Sequence, residues 1–343
     1  MKKINIGIVG CGRISKKHIE SILFNHNKFN LISICDIDNS KLLSADVNAN
    51  VNKYISLEEM INNENLDVIS ICTPSGLHAE QTILAARKNI NVVTEKPMAT
   101  KYNDALNMIK ESEINGIKLF VVKQNRYNKT LVELKKAIDE NRFGKIKMIN
   151  INVFWNRDQK YYDQDEWRGT WEMDGGALMN QASHYVDLLT WMNGPIQSLH
   201  AISKTSLNIE AEDSIVLNIN FKNNSLGSMS VSMLAFNKNF EGSLTVIGEK
   251  GLVKIGGVAV NKIEHWEFAD KKNIDYKIDD ISYETDSVYG KGHFKYYSDL
   301  ADNLNGIKNE ISDGYEGIKS MQTIVAAYIS AADEKIITLP LEK

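Results

Sequence analysis

The chain is predicted to be an α/β protein in two parts. Residues 1–122 should form a parallel sheet with helical crossovers, and residues 123–343 an α+β domain with a large, open, mostly antiparallel sheet. Three observations predict this. Strand-like runs alternate with helical stretches of ~10–15 residues as far as residue 122. A glycine turn, Gly10-Cys11-Gly12, joins the first strand to the first helix. After Gln124 the apolar period changes to two.

Composition narrows the class. A length of 343 residues fits about two domains. With 43% hydrophobic and 24% charged residues the chain is an ordinary globular one. A net charge of −4 argues against nucleic-acid binding, which needs a basic footprint. No apolar run approaches the ~18 residues of a membrane span, so no membrane partner is expected. Met1-Lys2-Lys3 leads straight into a strand without a cleavage site, and a cytoplasmic location is expected. Cys11, Cys35 and Cys72 lack metal-type spacing and read as reduced packing thiols; no metal site is expected. Only six of the 40 basic residues are arginines, and Arg126, Arg157 and Arg168 fall close together. An arginine in a lysine-rich chain points to bidentate anion binding.

The elements follow in order. Ile4–Val9 is a β-branched strand. Gly10-Cys11-Gly12-Arg13-Ile14-Ser15 turns it into an amphipathic helix over 13–24, with Ser15 in the third glycine position. Such a turn lets the backbone approach a pyrophosphate, and the helix N-terminus supplies N–H groups and positive potential. This is the Rossmann arrangement. The next strand, 31–35, ends in Asp36, placed to accept from ribose hydroxyls and to repel a 2′-phosphate. NAD is therefore expected rather than NADP. Ser56 and Glu59 form a capping-box pattern for a short helix over 56–62. The strand at 68–72 ends in Thr73-Pro74-Ser75-Gly76-Leu77-His78, and a helix runs to about Lys88. Asn91–Thr94 is a strand that ends in Glu95-Lys96-Pro97. Strand carboxyl ends are where ligands bind in such sheets, and Lys96 between a buried strand and a proline is distinctive. A helix over 102–113 and a strand over 118–122 complete the half.

A helix over 129–141 opens the second half. Ile149, Ile151 and Val153, then Ile215 to Phe221, then Met229, Val231 and Met233 alternate with polar residues. Runs at 244–247, 252–255 and 263–268 extend the sheet, whose uncovered face would suit a homo-oligomer. Residues 155–171 gather three of the five tryptophans with Arg157, Tyr161, Tyr162 and Arg168, which reads as a binding loop. From Asp174-Gly175-Gly176 a helix is predicted to about Met192, with Asn180, His184 and Asp187 on one face.

Together, G-C-G-R-I-S with Asp36, C-T-P-S-G-L-H, T-E-K-P and G-G-A-L-M-N-Q-A-S-H-Y-V-D resemble the Gfo/Idh/MocA oxidoreductases over essentially the whole chain. The resemblance implies NAD as cofactor, dimers or tetramers, a catalytic lysine at Lys96, a helix histidine at His184 and a cis Lys96–Pro97 bond. A narrower match, F-W-N-R-D-Q-K-Y-Y-D-Q, W-R-G-T-W and M-L-A-F-N-K-N-F-E-G, resembles the WlbA/WbpB group, the UDP-N-acetylglucosaminuronate 3-dehydrogenases of surface-polysaccharide biosynthesis. Asn180 stands where many family members carry Asp. Part of that group reoxidises NADH with 2-oxoglutarate and part releases it. Dehydrogenases of another sugar or of inositol, NAD-assisted glycosidic cleavage and a non-catalytic NAD-binding regulator are the alternative readings.

The expected cofactor-side residues are Gly10, Cys11, Gly12, Arg13, Ile14, Asp36, Thr73, Pro74, His78, Glu95, Lys96 and Gln124, with Trp167 and Arg168 from the second half. The expected UDP-sugar uronate side is Lys96, Arg157, Asn180, His184, Lys238 and Asn239, with Arg126 a weaker candidate. Lys96 would take the hydroxyl proton or polarise the oxygen, and His184 would hydrogen-bond the same hydroxyl. A free lysine titrates near ~10.4, so a lysine base must be depressed. Glu95 would oppose that, so it is expected to stand off the ammonium.

Overall fold

The computed structural model describes residues 2–285, 288–290 and 292–341. The chain forms two compact units, Met1–Lys123 with Gly292–Met321, and Gln124–Lys291 with Gln322–Lys343. Among the described residues no helix is long and apolar enough to cross a membrane.

The first unit runs β1 (Ile4–Val9), α1 (Ser15–Phe24), β2 (Phe29–Cys35), α2 (Asn39–Ser44), β3 (Asn52–Tyr54), α3 (Leu57–Asn63), β4 (Val68–Ile71), α4 (His78–Ala86), β5 (Asn91–Thr94), α5 (Tyr102–Ile114) and β6 (Leu119–Val121). The six strands are parallel in the order β3-β2-β1-β4-β5-β6. Ile6, Ile8, Val68, Ile69, Ile71, Val92 and Val93 are buried, as in strands covered on both faces. The strand order reverses between β1 and β4, which places a ligand crevice beyond their carboxyl ends. Ser56 caps α3 by accepting from the Glu59 N–H, as its sequence pattern predicts. The short elements α2 and β3 carry too few periodic positions to be visible in the sequence.

The second unit contains α6 (Lys129–Asp139), β7 (Ile146–Phe154), α7 (Gln159–Tyr162), α8 (Ser183–Asn193), β8 (Ile196–Lys204), β9 (Ser214–Phe221), β10 (Leu226–Ser232), β11 (Glu241–Gly248), β12 (Gly251–Gly256) and β13 (Lys262–Phe268). The chain then runs through α9 (His293–Leu304), α10 (Gly314–Asp333) and β14 (Ile337–Thr338). The second sheet has the order β13-β12-β11-β7-β10-β9-β8-β14. It is antiparallel except where β10 runs parallel to β7. The predicted alternation holds: Ile149, Ile151, Val153, Ile215, Leu217, Ile219, Met229 and Val231 are buried. The opposite side exposes Ile202, Val216, Leu226 and Ile247.

Two boundaries differ from the sequence reading. Residues after 122 were expected to belong wholly to the second half, yet 292–321 return to the first. There α9 lies along α1, with Lys28 Nζ 2.7 Å from Asp302 Oδ1 and the Phe24 and Phe294 rings 5.0 Å apart. Ser312 pairs with the free edge of β6, accepting from the Val121 N–H at 3.1 Å. An amphipathic helix carries no local sign of which core it will cover. The predicted helix over 174–192 is also divided. Residues Ala177–Gln181 form a wide π-type turn before α8 begins. Gly175 sits at φ 78 and Gly176 is extended, so no α-helix can run through them. Asn180 therefore lies outside the α-helical register of His184 and Asp187.

At Gly10, φ is 88 and an added Cβ would lie 2.8 Å from the Cys72 carbonyl and the Thr73 nitrogen. Gly10→Ala should therefore destabilise the protein by ~1–3 kcal/mol, read as a lower urea midpoint. An unchanged midpoint would contradict this account of the turn.

Candidate active site

In the first unit, the turn after β1 has three distinct positions. Gly10 is packed against the end of β4, whereas a Cβ on Gly12 would meet nothing within 4 Å. Ser15 takes the third glycine position by turning its hydroxyl back onto the Gly12 carbonyl at 2.7 Å. The result is an open backbone cradle at the N-terminus of α1, which fits a pyrophosphate. Asp36, at the end of β2, accepts from the Cys11 N–H at 2.7 Å and from the Asp38 N–H at 2.9 Å. It thus ties the turn to the position where a ribose would lie. Ile37 beside it is exposed and no basic side chain follows immediately, in keeping with NAD. Ile14 starts the helix and Arg13 is exposed beside it. The thiols of Cys11 and Cys35 are pushed up to about 12, chiefly by burial, so both are packing groups.

Beyond β4 and β5 the chain is braced by His78. Its ring bridges the carbonyl oxygens of Pro97 at 2.8 Å and Thr73 at 2.9 Å. Burial lowers its pKa, so the neutral ring donates to one of them. Both ring nitrogens face backbone, so His78 holds the two strand-end loops together. Thr73 donates to Gln81 at 2.7 Å, and Pro74 opens the turn that leads into α4. The Lys96–Pro97 bond is cis. Glu95 is buried at 5% exposure, with Oε1 2.9 Å from His18 Nε2 and Oε2 accepting from the Lys96 N–H at 3.0 Å. Both of its side-chain oxygens are thus engaged within the first unit. Nothing local in the sequence marks His18, and only the fold brings His18, Ser70, Glu95, His293 and Tyr297 together.

In the second unit, Arg157 is the centre of a polar group. Its Nε donates to Gln181 at 2.9 Å, and its Nη1 donates to the Asn156 carbonyl and to Asn239 Oδ1 at 3.0 Å. Gln181 in turn donates to Asn180 Oδ1 at 3.1 Å, and the Asn180 amide also reaches Asp174. His184 lies on the first turn of α8 at 8% exposure. Arg168 stacks on Tyr161 and Trp167 and pairs with Asp165 at 2.8 Å. Lys238 is exposed on the following turn and its side chain is not brought into this group. Arg126, half-buried, forms a bidentate pair with the buried Asp187 at 2.7 and 2.8 Å. Gln124 is buried, and its amide oxygen has no hydrogen-bond partner among the described residues.

Residues 4–123 match the model of the oxidoreductase family NAD-binding Rossmann fold, and residues 135–339 match its C-terminal alpha/beta domain. The chain belongs to the Gfo/Idh/MocA oxidoreductase family. As an NAD-binding oxidoreductase of that family it is similar over 99% of its length to the WlbA dehydrogenase of Bordetella pertussis, solved with NADH and UDP-GlcNAcA. The identity is 47%, the TM-score 0.96, and 99% of that chain is covered. A WlbA dehydrogenase from Chromobacterium violaceum, also with NADH and UDP-GlcNAcA, is 45% identical with a TM-score of 0.95, over 100% of this chain and 98% of that one. The myo-inositol 2-dehydrogenase of Thermotoga maritima is 25% identical over 73% of this chain and 74% of its own.

The family's G-G-A-L-M-N-Q segment rests on a carboxyl that the sequence reading missed. Glu212 is buried and packs directly on Gly176, where any Cβ would overlap it. Its Oε1 accepts from the Leu178 N–H at 2.8 Å and from the Tyr328 hydroxyl at 3.1 Å. Burial pushes its pKa up to about 8. An acid raised in the folded state stabilises fully below its unfolded pKa, and the contribution is lost as pH rises through about 8. Glu212→Gln should therefore exceed the parent melting temperature at pH 9, and by a smaller margin at pH 6. A variant that melts lower at both pH values would overturn the assignment of a neutral carboxyl.

Proposed function

We propose that the protein oxidises the 3-hydroxyl of UDP-N-acetyl-D-glucosaminuronate to the 3-keto sugar, as a step towards diacetamido-uronic acid surface polysaccharide. The observation that carries this reading is the full-length likeness to two WlbA dehydrogenases bound to NADH and UDP-GlcNAcA. Arg157 supports it independently. Arg126, Arg142 and Arg168 each hold a carboxylate, whereas Arg157 is held by neutral oxygens and aromatic rings. An arginine oriented by neutral groups keeps its charge for an incoming anion, here the uronate carboxylate.

The Gly12 cradle, the α1 N-terminus and Asp36 would hold NAD, with Gln124 offering its unpartnered amide oxygen. Bound NAD supplies the hydride acceptor. Lys96 takes the proton of the 3-hydroxyl, and His184 hydrogen-bonds the same oxygen and orients it. Asn180 and Gln181 link the His184 segment to Arg157, so substrate orientation and carboxylate binding are set together. Asn239 steadies Arg157, and Trp167 with Arg168 completes the substrate side. The open sheet face is read as a homo-oligomer surface, giving a dimer or tetramer, in the cytoplasm.

Incubation with UDP-N-acetylglucosaminuronate and NAD should give a product two mass units lighter than the substrate, the loss of two hydrogens. Reduced-nicotinamide absorbance that accumulates without 2-oxoglutarate and falls when it is added would show reoxidation of the cofactor. No oxidised sugar in either arm would refute the substrate assignment. Lys96→Met should lower turnover by at least ~100-fold while NAD affinity stays within a few-fold, as removal of a general base predicts. Near-normal turnover in that variant would remove Lys96 from the chemistry.

A further inference from the structure

Three buried groups that the proposed chemistry does not use meet in the first unit. They are His18 on α1, Glu95 after β5 and His293 at the start of α9. Their exposures are 0%, 5% and 2%. Each offers one metal-ligating atom, and the three atoms lie within 4.8 Å of one another. No spacing in the sequence marks this cluster, because its members come from distant segments.

An ordinary ion pair accounts for two of the three. His18 Nε2 lies 2.9 Å from Glu95 Oε1. It does not account for His293. The Nε2 of His293 stands 4.0 Å from the same oxygen, beyond a hydrogen bond. Neither of its ring nitrogens has a hydrogen-bond partner among the described residues. A buried polar side chain left this way is rare and calls for a reason. The His293 ring packs against that of His18 at 60°, with centroids 5.4 Å apart. Two imidazoles thus converge on one carboxylate oxygen.

We propose that His18, Glu95 and His293 bind a divalent transition-metal ion, zinc by the chemistry of the donor set. Zinc takes imidazole nitrogen and carboxylate oxygen at ~2.0–2.2 Å, and two histidines with one glutamate are a recurrent set. Tetrahedral ligands at that range stand ~3.3 Å apart, and the observed 2.9 and 4.0 Å bracket this value. The ion takes the place of the proton between His18 and Glu95 and draws His293 into the same set. A fourth position is left for water. Outer partners are already in place. His18 Nδ1 lies 2.7 Å from the Tyr297 hydroxyl and 3.0 Å from Ser70 Oγ. A ring held on that side keeps its proton there and presents Nε2 as the ligand. Glu95 Oε2 accepts from the Lys96 backbone N–H at 3.0 Å, which leaves Oε1 for the metal. Magnesium, which prefers an octahedron of oxygens, does not suit two imidazoles. The ion would join α1, the end of β5 and α9. It would thereby fasten the returning segment 292–321 to the rest of the first unit and add its binding energy to folding.

The full-length protein, produced in zinc-supplemented medium and dialysed against metal-free buffer, should hold about one zinc per chain by elemental mass spectrometry. Competition with a chromophoric chelator then gives the affinity. His293→Gln should weaken it by at least ~100-fold, since even an outer partner of a metal ligand is worth ~10–100-fold. Among the described residues His293 makes no hydrogen bond, so this variant leaves the His18–Glu95 pair intact. His265→Gln, which removes the exposed pair with Glu267, should keep the parent affinity. Zinc should raise the melting temperature of the parent and not of His293→Gln. A parent that holds no zinc would overturn the proposal. So would equal zinc affinity in His293→Gln, loss of zinc in His265→Gln, or displacement of zinc by an equal concentration of Mg2+. If His293→Gln does not fold, Co2+ bound to the parent decides. Strong visible bands of a four-coordinate ion support the site, and the weak bands of a six-coordinate ion overturn it.

Discussion

At Gly10 the end of β1 lies against the Cys72–Thr73 peptide, with room for a hydrogen atom but not for a methyl group. That approach closes the sheet where its strand order reverses. It also leaves the Gly12 backbone as the exposed wall of the cradle. Asp36 then hydrogen-bonds the same turn, and His78 ties the loop after β4 to the one after β5. The position of Lys96 is a consequence of these links. It stands at the end of a strand that cannot shift without pulling on Pro97 and Thr73.

Charge in both units follows one rule. Most buried or half-buried ions are matched by a partner of opposite sign, as in Arg126 with Asp187 and Arg142 with Asp275. Such pairs are costly to break, because the survivor is left desolvated. Arg157 departs from the rule, being oriented by Gln181, Asn156 and Asn239 and flanked by aromatic rings. Glu212 departs from it in another way, by giving up its charge. A neutral carboxyl against Gly176 can accept from the Leu178 N–H without needing a cation nearby.

Much of this was legible in the sequence for physical reasons. Strand runs with two buried faces, a glycine turn and an acid at the next strand end are local signals, and each landed where expected. Lys96 stood out because a lysine between a buried strand and a proline has few structural explanations. Arg157 stood out because arginine is scarce in this chain. What the sequence did not reveal depends on contacts between distant segments. His18 looked like any helix residue until β4, β5 and α9 surrounded it. Glu212 lies in an unremarkable stretch, and only the extended Gly176 backbone admits its carboxyl. The glycine pair that prevents a continuous helix over 174–192 was visible, but its effect on Asn180 depends on a π-type turn that periodicity cannot distinguish.

The return of residues 292–321 to the first unit has a consequence for biosynthesis. Domains generally assemble as they leave the ribosome, amino-terminal part first. Here that order is blocked, because α9 and the strand edge at Ser312 emerge only after β7 to β13 have been made. Until then the nascent first unit lacks Tyr297 beside His18 and has an unpaired edge at β6. A fragment ending at residue 122 would keep the cradle for the nucleotide but would expose the α1 face and that edge. The Rossmann unit is therefore completed by a segment far from it in the chain, residues 292–321.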